Sequence, residues 1–317
     1  MQPVLNVVLP VFAIMAAGWA AGRFGPFTPA ATGVLNDFVY WIAFPTLIFG
    51  AMANAPMSAI FDLPFLAAYS AGVFGVFAIC FVTGLLVFRT RPAALALQAM
   101  CVVFANTGYM GVPLLPTAFG EAALLPILIL TVYNAAFLVA LFVALVELDL
   151  RADDPPLRVI AGVLRAVLLN PLVLAAAAGI AWSATEWPLP APVRTFCDIL
   201  GAAAGPAALV AMGLFLVGKS LRAGLGEAGW LVFLKLVIMP ALVAWIALGP
   251  LSGGPAGLDP IQARSAIVAA ALPTGSLVFV LAYRYRLYVE RSTSVILIST
   301  VLSGLTLSVL LLLLGIG

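Results

Sequence analysis

The 317-residue sequence has no histidine, three cysteines and very little charge, with Asp, Glu, Lys and Arg together making up 8% of it. Without histidine there can be no Ser-His-Asp triad, histidine proton relay or histidine-ligated zinc. Cys80, Cys101 and Cys197 lie inside apolar runs with no metal-ligand spacing, so a thiolate metal site is not indicated either. Fourteen basic and twelve acidic residues leave a formal charge of +2, which is no electrostatic footprint for a nucleic acid. The N-terminal run MQPVLNVVLPVF lacks the basic flank of a secretory signal and reads as a retained first helix.

What the sequence does contain is apolar: 65% hydrophobic residues and a mean hydropathy of +1.22, against a charged fraction of roughly 25% in ordinary soluble domains. Lipid is therefore the solvent for most of the chain, and the fold class expected is an all-α integral membrane protein. A hydrocarbon core of about 30 Å needs roughly 20 residues of helix. Cutting the chain at Pro, Gly and charge clusters gives ten such spans, at 3–22, 31–52, 64–88, 93–118, 121–146, 161–183, 192–218, 228–249, 261–283 and 289–316.

The charges orient these spans. Connections after the odd-numbered spans hold eleven basic residues (Arg23, Arg89, Arg91, Arg151, Arg158, Arg165, Lys219, Arg222, Arg284, Arg286, Arg291). The opposite side holds only Arg194 and Arg264. The positive-inside rule then puts the basic side in the cytoplasm and both termini in the periplasm of a bacterial inner membrane.

An internal repeat accompanies this pattern. Asp37 is followed eight residues later by Pro45, and Asp198 eight residues later by Pro206, an offset of 161 positions that also relates Pro10 to Pro171. An offset of 160 relates Pro113 to Pro273. Five spans per repeat force the halves into opposite orientations, so 1–147 and 161–317 are expected to form a 5+5 inverted repeat joined by a short cytoplasmic connection at 148–160. The fourth span is interrupted by Asn106, Thr107, Gly108, Gly111 and Pro113, and the ninth by Pro273, Thr274, Gly275 and Ser276. Glycine relaxes the backbone and proline removes a donor, so both helices should break near mid-membrane. Such breaks are tolerable only when they are buried in protein or facing a water-filled cavity. Paired broken helices in inverted halves point to a midplane binding site.

The run NTGYMGVPL in the fourth span, and ALPTGSLVFVLAYRY followed by ERSTSVILIST in the last two, resemble the corresponding segments of the auxin efflux carrier family, and the likeness extends over all ten spans. That family includes plant auxin carriers and bacterial permeases for malonate or malate, within the bile acid, auxin and arsenite transporter superfamily. The resemblance implies that spans 1, 2, 6 and 7 form a scaffold that dimerises, that spans 3–5 and 8–10 form a mobile transport domain, and that spans 4 and 9 cross at the substrate site. It also implies that Asn106 contacts a substrate carboxylate. The chain departs from long-form plant carriers in having only a short central connection, so regulation through a large loop is not expected.

Other polar residues within spans need partners. Tyr133 and Asn134 interrupt the fifth span and are candidates to line the same cavity, or to bond between helices. Lys235, in the eighth span, could snorkel toward the interface or pair with a substrate carboxylate. Asp37 and Asp198 are candidates for ion coupling or scaffold contacts.

The leading functional expectation is a secondary transporter of small organic anions, such as malonate, malate or auxin-like acids, working by alternating access. It needs no catalytic residue, metal or cofactor. Its partners would be a carboxylate, the surrounding lipid and a second copy of the chain, with no nucleic acid. A channel or sensor of the same fold is the alternative from another class. An intramembrane aspartyl enzyme is disfavoured, because the repeat puts Asp37 and Asp198 about 10 Å apart along the membrane normal, whereas an aspartyl dyad needs about 3 Å. The orientation is directly testable: a cysteine introduced in the 151–158 connection should react with an impermeant thiol reagent only from the cytoplasm, and one at Ala55 only from the periplasm. Labelling of both from one side would contradict the ten-span topology.

Overall fold

A computed structural model describes residues 2–150, 156–218, 224–249 and 258–315. The described residues are helical throughout, with no strand; their one β-type pairing outside helices is an isolated antiparallel bridge between Ala105 and Thr274. Among the described residues seven helices are long and apolar enough to cross a membrane: Asn6–Phe24, Ala30–Asn54, Met57–Leu86, Glu121–Leu150, Ala191–Leu216, Leu225–Leu248 and Val289–Leu313. An eighth span is present if the bent pair Ile160–Leu168 and Pro171–Ser183 counts as one. The chain is therefore an integral membrane protein.

Seven of the ten expected spans, with the bent pair as an eighth, coincide with these helices, with two local differences. The 161–183 segment is bent by 62° rather than straight. The Asn170 side chain accepts the Leu172 N–H at 2.9 Å as an N-cap, and Pro171 opens a new helix, so the first helix has to stop. The 192–218 segment ends its first helix at Ala202 and resumes at Ala204. The 93–118 and 261–283 segments are broken as expected: each comprises two short helices on either side of an extended break, and neither is among the helices long enough to cross a membrane. The first is Pro92–Val103, then a π turn at Thr107–Gly111 leading into Val112–Phe119; the second is Pro260–Ala271, then Leu277–Tyr285. The expected cytoplasmic connection falls partly on residues 151–155, outside the described residues, as do Arg151, Lys219 and Arg222.

Three of the four π turns, Val39–Ala43, Thr107–Gly111 and Leu234–Ile238, are followed two residues later by Pro45, Pro113 and Pro240. Proline cannot donate to the carbonyl four residues back, and its ring crowds that turn. A widened turn just before it relieves the crowding. Such turns gather at functional sites, and here they carry Tyr40, Thr107 and Lys235.

Two groups of closely packed helices stand out, and they also contact one another. Gln2–Phe24 lies against Ala204–Leu216, and Phe44–Asn54 against Pro171–Ser183 and Ala191–Ala202. Leu63–Leu86 lies against Met239–Leu248 and Pro92–Val103, while Met239–Leu248 also lies against Pro260–Ala271. In the first set the backbones nearly touch. A β-carbon on Gly213 would sit 2.0 Å from the Met15 carbonyl oxygen and 2.7 Å from the Trp19 nitrogen. Without water to drive association, close backbone approach through small residues is how membrane helices gain packing. Gly213→Val should therefore destabilise the protein by about 1–3 kcal/mol or more, seen as a lower melting temperature in detergent and loss of monodisperse material. Gly229→Ala, in a helix with nothing within 4 Å of the added carbon, should melt as wild type or slightly above. Equal melting of the two variants would remove close packing at Gly213 as a determinant.

Candidate functional site

The two extended breaks cross and pair. Asn106 N–H donates to the Pro273 carbonyl at 2.9 Å, and Gly275 N–H donates to the Phe104 carbonyl at 2.9 Å. Each break thereby satisfies backbone groups of the other, which is necessary because an unpaired peptide group in a membrane interior costs several kcal/mol.

The C-terminal ends of the two first halves are closed by side chains. Thr274 Oγ1 donates to the Cys101 carbonyl at 2.6 Å, while Thr274 N–H donates to Ser299 Oγ at 3.2 Å. Lys235 Nζ donates to the Ala270 carbonyl at 2.7 Å and lies 3.2 Å from Met239 Sδ. A cation at a helix C-terminus meets the negative end of the dipole. Lys235 is wholly buried, 0% exposed, so it does not snorkel.

The N-terminal ends of the second halves, by contrast, open on a cavity of about 450 Å3. Asn106, Thr107, Gly108, Asn134, Gly275 and Ser276 line it together with Asp37, so seven of the residues singled out from sequence come together. Asn106 is 5% exposed and its Nδ2 has no partner; Asn134 is 1% exposed and its Oδ1 has none. Asn134 Nδ2 is 3.2 Å from Thr107 Oγ1 and 3.4 Å from the Ala105 carbonyl, which ties the Glu121–Leu150 span to the break. The cavity thus presents an unpaired amide donor beside helix N-termini, whose first N–H groups have no intrahelical acceptor. This is the chemistry that receives an anion.

The remaining expected residues are elsewhere. Gly111 packs under Ile127 and Leu272, and Pro113 lies against Gly205. Pro273 and Thr274 are consumed by the crossing itself. Tyr133 accepts a hydrogen bond from Ser70 Oγ at 3.0 Å and stacks on Phe137. Lys235 and Asp198 are not among the residues lining the cavity. The sequence reading in turn passed over Asn36, Tyr109, Asn170 and Arg284, all of which line it. Tyr109 donates to Asn36 Oδ1 at 2.9 Å across the cavity wall. Arg284, which the charge pattern assigns to a cytoplasmic connection, shares the cavity face of one helix with Leu277 and Val280.

A multi-span helical membrane protein whose two interrupted helices meet beside a cavity has the build of a membrane transporter, and its relatives agree. The membrane transport protein family model matches residues 3–311, and the chain belongs to that family, the auxin efflux carriers. It is 32% identical, over all 317 residues and 98% of the relative, to a protein of Rhizobium meliloti (strain 1021) named "Putative malonate transporter". It is also 26% identical over 308 residues, 95% of each chain, to an "Uncharacterized transporter" of Methanothermobacter thermautotrophicus. These relationships indicate a transporter, not an enzyme.

The placement of Lys235 generates a prediction. Lys235→Met should leave the Ala270 carbonyl buried without its partner, a loss of about 1–3 kcal/mol, and lower the melting temperature. The ratio of dicarboxylate to monocarboxylate binding should not change. An altered ratio with unaltered melting would mean that Lys235 acts on the ligand instead.

Proposed function

We propose that this protein is a secondary carrier of small carboxylates, malonate-like acids foremost, that binds its substrate at the crossing of the two broken helices and moves it by alternating access. The observation that carries this reading is the buried, unpartnered Asn106 amide facing a cavity walled by helix N-termini. The name of the Rhizobium relative supports the choice of substrate.

On this reading the two broken segments each count as a crossing, which makes ten spans in a 5+5 inverted repeat, with 1–147 and 161–317 as its halves. The two packing sets support a scaffold of spans 1, 2, 6 and 7 and a transport domain of spans 3–5 and 8–10. The scaffold pairs with that of a second copy. Both termini are periplasmic in the bacterial inner membrane. Asp37, Asn170 and Arg284 belong to the cytoplasmic side of that topology, so the cavity in this conformation faces the cytoplasm. Asp37 stands in it as the candidate for ion coupling, and Asp198 stays with the scaffold. Auxin-like monocarboxylates are the alternative cargo, and a channel or sensor the alternative class.

Reconstitution separates these. Proteoliposomes preloaded with malonate should take up external labelled malonate faster than empty ones, and the uptake should saturate; a pore gives linear uptake indifferent to the internal load. Asn106→Ala should keep the wild-type melting temperature within a few degrees, because the crossing is held by the Asn106 backbone N–H and its side-chain Nδ2 has no partner to lose. Its apparent affinity should fall about tenfold or more, as expected for a charge-assisted bond to a carboxylate. Unchanged affinity in Asn106→Ala would contradict the site.

A further inference from the structure

We infer that Arg284 is the specificity residue that makes the cavity a dicarboxylate site, by pairing with the second carboxylate of a ligand whose first carboxylate is held at the crossing. This rests on the carrier reading above and adds a residue and a substrate class to it.

Leu277, Val280, Leu281 and Arg284 all line the cavity, at spacings of three, four and seven that define one face of the Leu277–Tyr285 helix. The inner end of that face is the helix N-terminus beside Gly275 and Ser276, next to the unpartnered Asn106 Nδ2. The outer end is Arg284, the one cationic side chain among the lining residues. Seven residues of helix separate the two ends by about 10 Å along the axis. Arg284 is exposed and its guanidinium lies 5.7 Å from the centroid of the Tyr285 ring, free to swing back toward the N-terminal end of the face, the direction in which helical side chains lean. A short dicarboxylate with each carboxylate hydrogen-bonded to its own anchor spans a comparable distance, about 8–10 Å from donor to donor.

Charge points the same way. The lining residues include one acid, Asp37, and one base, Arg284, so the empty cavity has no net charge to attract a dianion. A second carboxylate brought into this partly desolvated space needs a direct partner. Arginine supplies it as a planar fork that can bind a carboxylate through two parallel bonds. A monocarboxylate anchored at the crossing leaves that fork unused.

The test compares malonate with its monomethyl ester, which keeps one carboxylate and nearly the same shape, in equilibrium binding to the full-length protein in detergent. Wild type should prefer malonate, and in Arg284→Gln that preference should fall by about tenfold or more, with Arg284→Lys intermediate because a point charge replaces the fork. A preference in Arg284→Gln equal to that of wild type would overturn the inference and leave the carrier reading intact. Wild-type protein that binds neither compound would instead overturn the carboxylate reading, and this inference with it. A second readout avoids any folding defect of the variants. Malonate, but not the half-ester at equal occupancy, should protect Arg284 of the wild-type protein from phenylglyoxal, measured by peptide mass spectrometry; equal modification under both would also contradict the pairing.

Discussion

The structure depends on one exchange of backbone hydrogen bonds: Asn106 to Pro273 and Gly275 to Phe104, where two broken helices cross. Neither break is stable alone inside a membrane, because an extended segment exposes peptide groups that no water can reach. Pairing the breaks antiparallel removes this penalty for both and fixes where the four half-helix ends meet. Several of the buried polar groups are arranged around that point. Thr274, Ser299, Asn134 and Lys235 all bond to the crossing segments or to the helix ends beside them.

The half-helix ends are treated unequally, and this gives the cavity its chemical sign. The C-terminal ends, with their partial negative charge, are closed by the Thr274 hydroxyl and the Lys235 amine. The N-terminal ends are left facing open space beside the unpaired Asn106 amide. A cavity built in this way offers donors and partial positive charge without a fully buried free cation, so it can hold an anion and still release it. Wall contacts join different helices, as in the Tyr109 to Asn36 bond, and such bonds must change if the two packing sets move against each other.

Much of this was legible in the sequence, and for identifiable reasons. Helix positions followed from apolar length, because the bilayer imposes a length on every span. The two interruptions followed from clusters of Gly, Pro and Asn that no straight helix tolerates in lipid. The break, however, lies at 104–106, several residues before Pro113, since proline is accommodated by a widened turn rather than by an extended segment. The 62° bend at Asn170 was missed because hydropathy is blind to an N-cap inside an apolar run. Tyr133 and Lys235 show the limit for single polar residues. Their spans were right, but which neighbour each meets, Ser70 or the Ala270 carbonyl, is set by helix rotation. Arg284 was hidden by its nearness to a cluster of loop arginines; helical spacing back from Leu277 to Arg284 would have revealed it.

Carrier action by this protein would require alternate exposure of the cavity at the crossing to the two sides of the membrane. It is tested most directly by placing a cysteine at Ser276, with Cys80, Cys101 and Cys197 replaced by alanine, and measuring its reaction with an impermeant thiol reagent in right-side-out and inside-out vesicles. Alternating access predicts labelling from both sides, slowed on both by malonate. Labelling from one side only, whatever the malonate concentration, would mean that the cavity is a fixed pocket and would contradict the carrier mechanism.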